Sequence, residues 1–119
     1  YACFVSPEAQ LPFMVMPDAI KSLRLLADAP QEQLSQRVYN ITAFSLTARQ
    51  LEQRVLQAFP QARVTYEPHA ARAMIVDTWP ADVHDSPARR DWGWAPDFDA
   101  DRAFTDYLIP EITRRYKEA

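Results

Sequence analysis

Three tryptophans fall within sixteen residues, Trp79, Trp92 and Trp94. An enclosed indole buries roughly 150–250 Å², so on residue type alone packing is the commoner use of all three. Trp79 has unusual neighbours. It follows Val76-Asp77-Thr78 and precedes Pro80, an irregular stretch where a stiff ring suits a pocket wall. Trp92 and Trp94 flank Gly93 and read as packing around a turn. The aspartates form the other cluster, with Asp82, Asp85, Asp91, Asp97, Asp99 and Asp101 close together. Asp97-x-Asp99-x-Asp101 has the opening spacing of a calcium loop, but Arg102 stands where that loop needs Gly. Helix capping and solvation explain these carboxylates better. His69 and His84 stand alone in polar surroundings and read as surface histidines.

Much chemistry is excluded. The chain has one Gly against ten Pro, so no Gly-rich cradle can bring its backbone up to a phosphate. A Tyr-x-x-x-Lys dyad of dehydrogenase type is missing, because the two lysines, Lys21 and Lys117, follow Pro17 and Thr113 at that spacing. Neither a Gly-x-Ser-x-Gly elbow nor a His-Glu-x-x-His zinc pair occurs. Cys3 is the only cysteine, which rules out an internal disulfide and suggests a reducing, cytoplasmic setting. A net charge of −3 argues against nucleic acid, and the apolar runs are too short to span a membrane.

The elements that must position these residues fit one domain's worth of chain, 119 residues with 48% hydrophobic and 24% charged side chains. Tyr1–Val5 reads as a short strand and Leu11–Met16 as a paired one. A helix should open at Pro17, with Asp18 in its first turn and Ile20, Leu23 and Ala27 inward, and stop before Pro30. Tyr39–Ala43 is β-prone. Thr47 and Gln50 have the spacing of a capping box, Leu46 and Leu51 that of a hydrophobic staple, and the helix they begin should stop at Pro60. Ala62–Tyr66 alternates as a strand, completing a strand–helix–strand unit, so a mixed α/β domain is expected. Ala73–Val76 suggests a further short strand. Ser86-Pro87 opens a helix ended by a left-handed Gly93. The last helix should start near Asp99, carry Phe104, Tyr107, Leu108 and Ile112 inward, and be kinked or split by Pro110.

The stretches Leu11-Pro12-Phe13-Met14-Val15-Met16-Pro17-Asp18-Ala19-Ile20, Tyr39–Thr47, Val76–Pro80 and Asp85–Trp94 together resemble one family. It is the C-terminal part of the short-chain-type L-threonine 3-dehydrogenases. These belong to the extended short-chain dehydrogenase/reductase group, alongside the NAD-dependent epimerases and dehydratases. Order and spacing agree over nearly the whole chain. Asp77-Thr78-Trp79-Pro80, with Arg72 before it, points most narrowly to the threonine enzymes. Thr78 in place of Ser, Val76 in place of Ala, and Pro110 in the last helix depart from the pattern.

The resemblance implies a substrate-side lobe spanning residues 1–119, with the NAD-binding Rossmann domain lying N-terminal to it. NAD and the catalytic residues would belong to that absent domain, so no catalytic or cofactor-binding residue is expected here. Trp79 matches the tryptophan that lines the threonine pocket, and Asp77 and Asp18 match positions near the interdomain cleft. An ordinary helix-start role accounts equally well for Asp18. The implied partners are the Rossmann domain, L-threonine and a second subunit of a homodimer. A nucleotide-sugar epimerase lobe would instead need Arg63, Arg72, Arg89 and Arg90 to converge on a diphosphate. A non-catalytic interaction module is the third reading. Severed from its partner domain, such a lobe should self-associate through a face that includes Leu11–Met16.

Overall fold

The computed structural model describes residues 1–117 as a helix-rich α/β chain. In order, its elements are β1 (Ala2–Cys3), β2 (Gln10–Phe13), α1 (Met16–Asp28), β3 (Phe44–Thr47), α2 (Ala48–Ala58), β4 (Thr65–Tyr66), α3 (Ala70–Asp77), α4 (Ser86–Trp92), α5 (Ala100–Arg102) and α6 (Ile109–Lys117). A short 3-10 turn, Gln31–Gln33, follows α1, and a π-helical stretch, Ala103–Leu108, joins α5 to α6. The chain divides into two compact units. One comprises Tyr1–Pro12 and Ser45–Asp82, the other Phe13–Phe44 and the chain from Val83 onward.

In the first unit β1 and β4 run parallel, with Ala2 opposite Thr65 and Cys3 opposite Tyr66. α2 starts as its sequence dictates. The Thr47 hydroxyl accepts from the Gln50 N–H at 3.2 Å, and the Gln50 side chain accepts from the Thr47 N–H at 2.9 Å. Tyr66 lies over this helix and donates its hydroxyl to Glu52 at 2.8 Å. Burial, and then that bond, push the Tyr66 phenol up to about 12.

The second unit holds the larger core, built on Ala88, Trp92 and Trp94, with Met14, Leu25, Leu26, Ala29, Leu34, Tyr39 and Ile41 packed against it. Gly93 ends α4 at φ +70°, a left-handed conformation that glycine adopts without steric cost. Asp85, one residue before the expected Ser86, is the cap position.

Several expectations give way to tertiary contacts. Tyr39–Ala43 is not a strand. The Tyr39 hydroxyl reaches Asp91, and the Thr42 carbonyl accepts from Trp94; only the Ala43 N–H turns to the Phe13 carbonyl, and the strand itself begins at Phe44. Ala73–Val76 lies in helix α3. The alanines ahead of that run favour helix, and His69 caps it, outweighing the β-branched pair Ile75-Val76. On α1, Ile20, Leu23 and Ala27 are exposed, and Asp18 and Ser22 are the buried residues. Apolar side chains surround most of that helix, so periodicity alone does not choose the inner face. Leu11–Phe13 are half-buried and Val15 is buried, while Met16, at the start of α1, is exposed. Ile112 is exposed as well. Pro110 is accommodated by the π-helical stretch before it. There the Ile109 N–H reaches back five residues to the Phe104 carbonyl, widening the helix where the proline ring would meet the preceding turn.

Candidate functional site

Trp79 follows the C-terminus of α3 in the first unit. The helix forms because Ala70, Ala71, Arg72, Ala73 and Met74 are good helix formers and His69 accepts the Arg72 N–H. The Arg72 guanidinium rests on the Phe4 ring at 3.8 Å from its centre, and the His69 N–H donates to the Phe4 carbonyl at 2.9 Å. At the other end Thr78 turns its hydroxyl back to the Ile75 carbonyl at 2.7 Å, and the Trp79 N–H donates to the Val76 carbonyl at 3.0 Å. Beyond Pro80, Gln10 donates to the Ala81 carbonyl at 3.1 Å and Ser45 to Asp82 at 2.7 Å. The backbone of 78–82 is thus held on both sides. Its indole is not enclosed: Trp79 is 57% exposed, against 8% for Trp92 and 1% for Trp94. Asp77 is exposed beside it.

Asp18 belongs to the second unit and is fully buried. Its two carboxylate oxygens accept the backbone N–H groups of Asp97 at 2.8 Å and Phe98 at 3.1 Å. Lys21, one turn on, donates to the Ala95 carbonyl and pairs with Asp97 at 2.5 Å. Asp99 caps α5 through the Arg102 N–H. Within the Asp97-x-Asp99-x-Asp101 run, Asp97 thus takes part in an ion pair and Asp99 in a cap. No group of three or more His, Cys, Asp or Glu side chains converges on a metal-sized site among the described residues.

Sequence reasoning missed Asp91, which is buried at the end of α4. One of its oxygens accepts from the Ser35 N–H at 3.0 Å, the Ser35 hydroxyl at 2.5 Å and the Tyr39 hydroxyl at 2.7 Å, and the other accepts from Arg90 at 2.8 Å. These bonds, the Ser35 hydroxyl foremost, hold its carboxyl well below the usual range. No local pattern marks such a residue, because Ser35 and Tyr39, the partners that hold its carboxyl low, lie more than fifty positions away. Asp85 is likewise held low by a two-pronged Arg89 contact, both arms at 2.8 Å. Of the four arginines a diphosphate would need, Arg89 and Arg90 face carboxylates of their own helix and Arg72 covers Phe4. Arg63 and Arg72 belong to the first unit, Arg89 and Arg90 to the second.

No protein-family model matches the chain. The bovine protein named L-threonine 3-dehydrogenase, mitochondrial, is 41% identical over 108 residues, which is 91% of this chain but 29% of that protein. The solved L-threonine dehydrogenase of Phytophthora infestans superposes with a TM-score of 0.87 at 40% identity, covering 96% of this chain and 37% of its own. The chain belongs with the C-terminal portion of the L-threonine 3-dehydrogenases. An uncharacterized epimerase/dehydratase of Staphylococcus saprophyticus, 28% identical over 118 residues, shows that the match to the threonine dehydrogenases sits inside a wider group. The chain spans about a third of the length of these threonine dehydrogenases. No described helix is long and apolar enough to cross a membrane.

Proposed function

We propose that this chain is the substrate-side lobe of an NAD-dependent L-threonine 3-dehydrogenase, inactive by itself, in which Trp79 and Asp77 line the threonine pocket. The observation that carries this is the exposed indole of Trp79 on a backbone segment anchored at both ends. A ring carried on an anchored backbone and left uncovered is suited to contact a ligand. Asp18 has both oxygens engaged within the chain and acts by positioning the 97–98 backbone.

Bound NAD would accept the hydride from the threonine carbinol carbon. The one glycine is committed to the end of α4, so the described residues offer no backbone cradle for a dinucleotide. The reading therefore assigns NAD and the proton-transferring groups to the N-terminal Rossmann domain of a homodimeric, cytoplasmic enzyme. Residues of this lobe orient the substrate and exclude water.

Two measurements test it. In a full-length enzyme made by joining this chain to the upstream remainder of the bovine relative, Trp79→Ala should lower kcat/KM for threonine about thirty- to two-hundred-fold. That loss corresponds to about 2–3 kcal/mol of transition-state stabilisation. NAD affinity should hardly change. Full activity in that variant removes Trp79 from the pocket. Calorimetric titration of the isolated chain with NAD should show no saturable binding below millimolar concentration, and clear binding there defeats the division of labour.

A further inference from the structure

Helix α3 ends on two uncovered apolar side chains, Ile75 and Trp79, each 57% exposed. The backbone stays right-handed helical through Thr78, and the Trp79 N–H reaches back to the Val76 carbonyl at 3.0 Å. Four positions of such a chain make about one turn, so the two residues fall on the same side, with Cβ atoms about 5–6 Å apart at that spacing. Just before Trp79, Thr78 turns its hydroxyl back to the Ile75 carbonyl at 2.7 Å. This end of the helix therefore offers a ligand aliphatic and aromatic surface in place of a free hydroxyl. Both groups are stiff. A β-branched side chain in a helix keeps one strongly preferred rotamer, and an indole is rigid. Met74 is 65% exposed, but it is flexible and lies about 100° around the helix from Ile75.

We propose that Ile75 recognises the methyl group on C3 of the amino-acid substrate and makes the pocket selective for threonine over serine, an inference that rests on the functional reading above. A flat ring such as Trp79 covers a substrate that carries this methyl and one that lacks it almost alike. Discrimination needs a second apolar group set at an angle to the ring, so that the methyl fills the corner between them. Ile75 has the spacing, the exposure and the stiffness for that part. One carbon held in such a corner is worth roughly ten- to two-hundred-fold in kcat/KM. The reaction is the same for both amino acids. C3 gives a hydride to NAD and its hydroxyl gives up a proton, leaving a ketone from threonine and an aldehyde from serine. Ile75 takes no part in that step and decides which substrate is held for it.

The test measures kcat/KM for L-threonine, for L-serine and for the homologue with an ethyl group on C3, using the chain joined to the upstream remainder of the bovine relative. Ile75→Ala should lower the threonine-to-serine ratio about tenfold and raise the ethyl homologue relative to threonine, because the shortened side chain opens the corner. Met74→Ala should leave both ratios unchanged. A merely structural residue would lower all three substrates together, so equal losses overturn the inference, and unchanged ratios in Ile75→Ala do the same. Trp79→Ala is read beside it. A large loss there with unchanged ratios in Ile75→Ala sinks this inference and leaves the functional reading standing. A shifted ratio with full activity in Trp79→Ala removes Trp79 from the pocket and keeps Ile75 in it. A joined protein that melts cooperatively but does not oxidise threonine takes down both. Should Ile75→Ala fail to fold, Ile75→Val removes one carbon and should move the same ratios in the same direction by a few-fold.

Discussion

Two tryptophan-bearing regions of this chain use the same residue type in opposite ways. Around Gly93, Trp92 and Trp94 are driven into the core of the second unit, their rings 6.0 Å apart, with Tyr39 edge-on to Trp92 at 5.8 Å. At the end of α3, Trp79 stands in solvent on a segment that is nonetheless well tied down. A helix whose seven residues include three buried ones encloses the first pair, while α3 has no buried residue at all. The difference shows that an aromatic in this chain is core when its own element is packed, and exposed when only its backbone is anchored.

The comparison can be broken at several strengths. Trp94→Ala should have the largest effect. It removes a ring that is 1% exposed and leaves the Thr42 carbonyl without its 3.2 Å donor, so unfolding should come easier by about 3–5 kcal/mol in thermal or urea melts. A loss below about 1 kcal/mol would show that the core does not depend on this ring.

Next comes the acid dependence of the second unit. The folded state holds Asp91 below its ordinary value, so its ionised form stabilises the fold. That contribution is complete above the unfolded pKa of about 4 and is lost as pH falls further toward the folded value. Stability should therefore decline steadily below about pH 4, and Asp91→Asn should lower the neutral-pH melting temperature while flattening that decline. An unchanged acid limb in the variant would move the effect to other carboxylates.

Trp92→Phe is a milder probe. The Nε1–H of Trp92 is buried with no hydrogen-bond acceptor among the described residues, so removing it relieves an unsatisfied donor while losing part of the ring. The two effects oppose each other, and the net change should stay within about 1 kcal/mol. The smallest stability effect belongs to Trp79→Ala, within about 0.5 kcal/mol on the isolated chain. Together with a large kinetic loss in the joined enzyme, that silence would separate a pocket wall from a packing residue.

Local features were legible wherever one short stretch carries both halves of an interaction. Thr47 and Gln50 cap α2, Gly93 ends α4, and Asp99 begins the last helical run, all by contacts within five residues. The family was legible for a related reason, since its motifs are contiguous runs whose order survives. Helix against strand at Ala73–Val76 was not legible, because a four-residue apolar run suits both and the cap at His69 decides it.

What the sequence by itself determined is therefore the mixed α/β composition, the turn and cap positions, and the lack of a phosphate cradle or Tyr–Lys dyad. Each follows from backbone chemistry or residue counts that need no partner far along the chain. Only the tertiary structure decided which face of α1 turns inward, that Asp91 joins Ser35 and Tyr39, and that Trp79 is uncovered while Trp92 and Trp94 are not. Those outcomes depend on contacts between residues some fifty to eighty positions apart. Burial there is set by competition among apolar faces and by the need to satisfy every buried carboxylate, and no local periodicity encodes that competition.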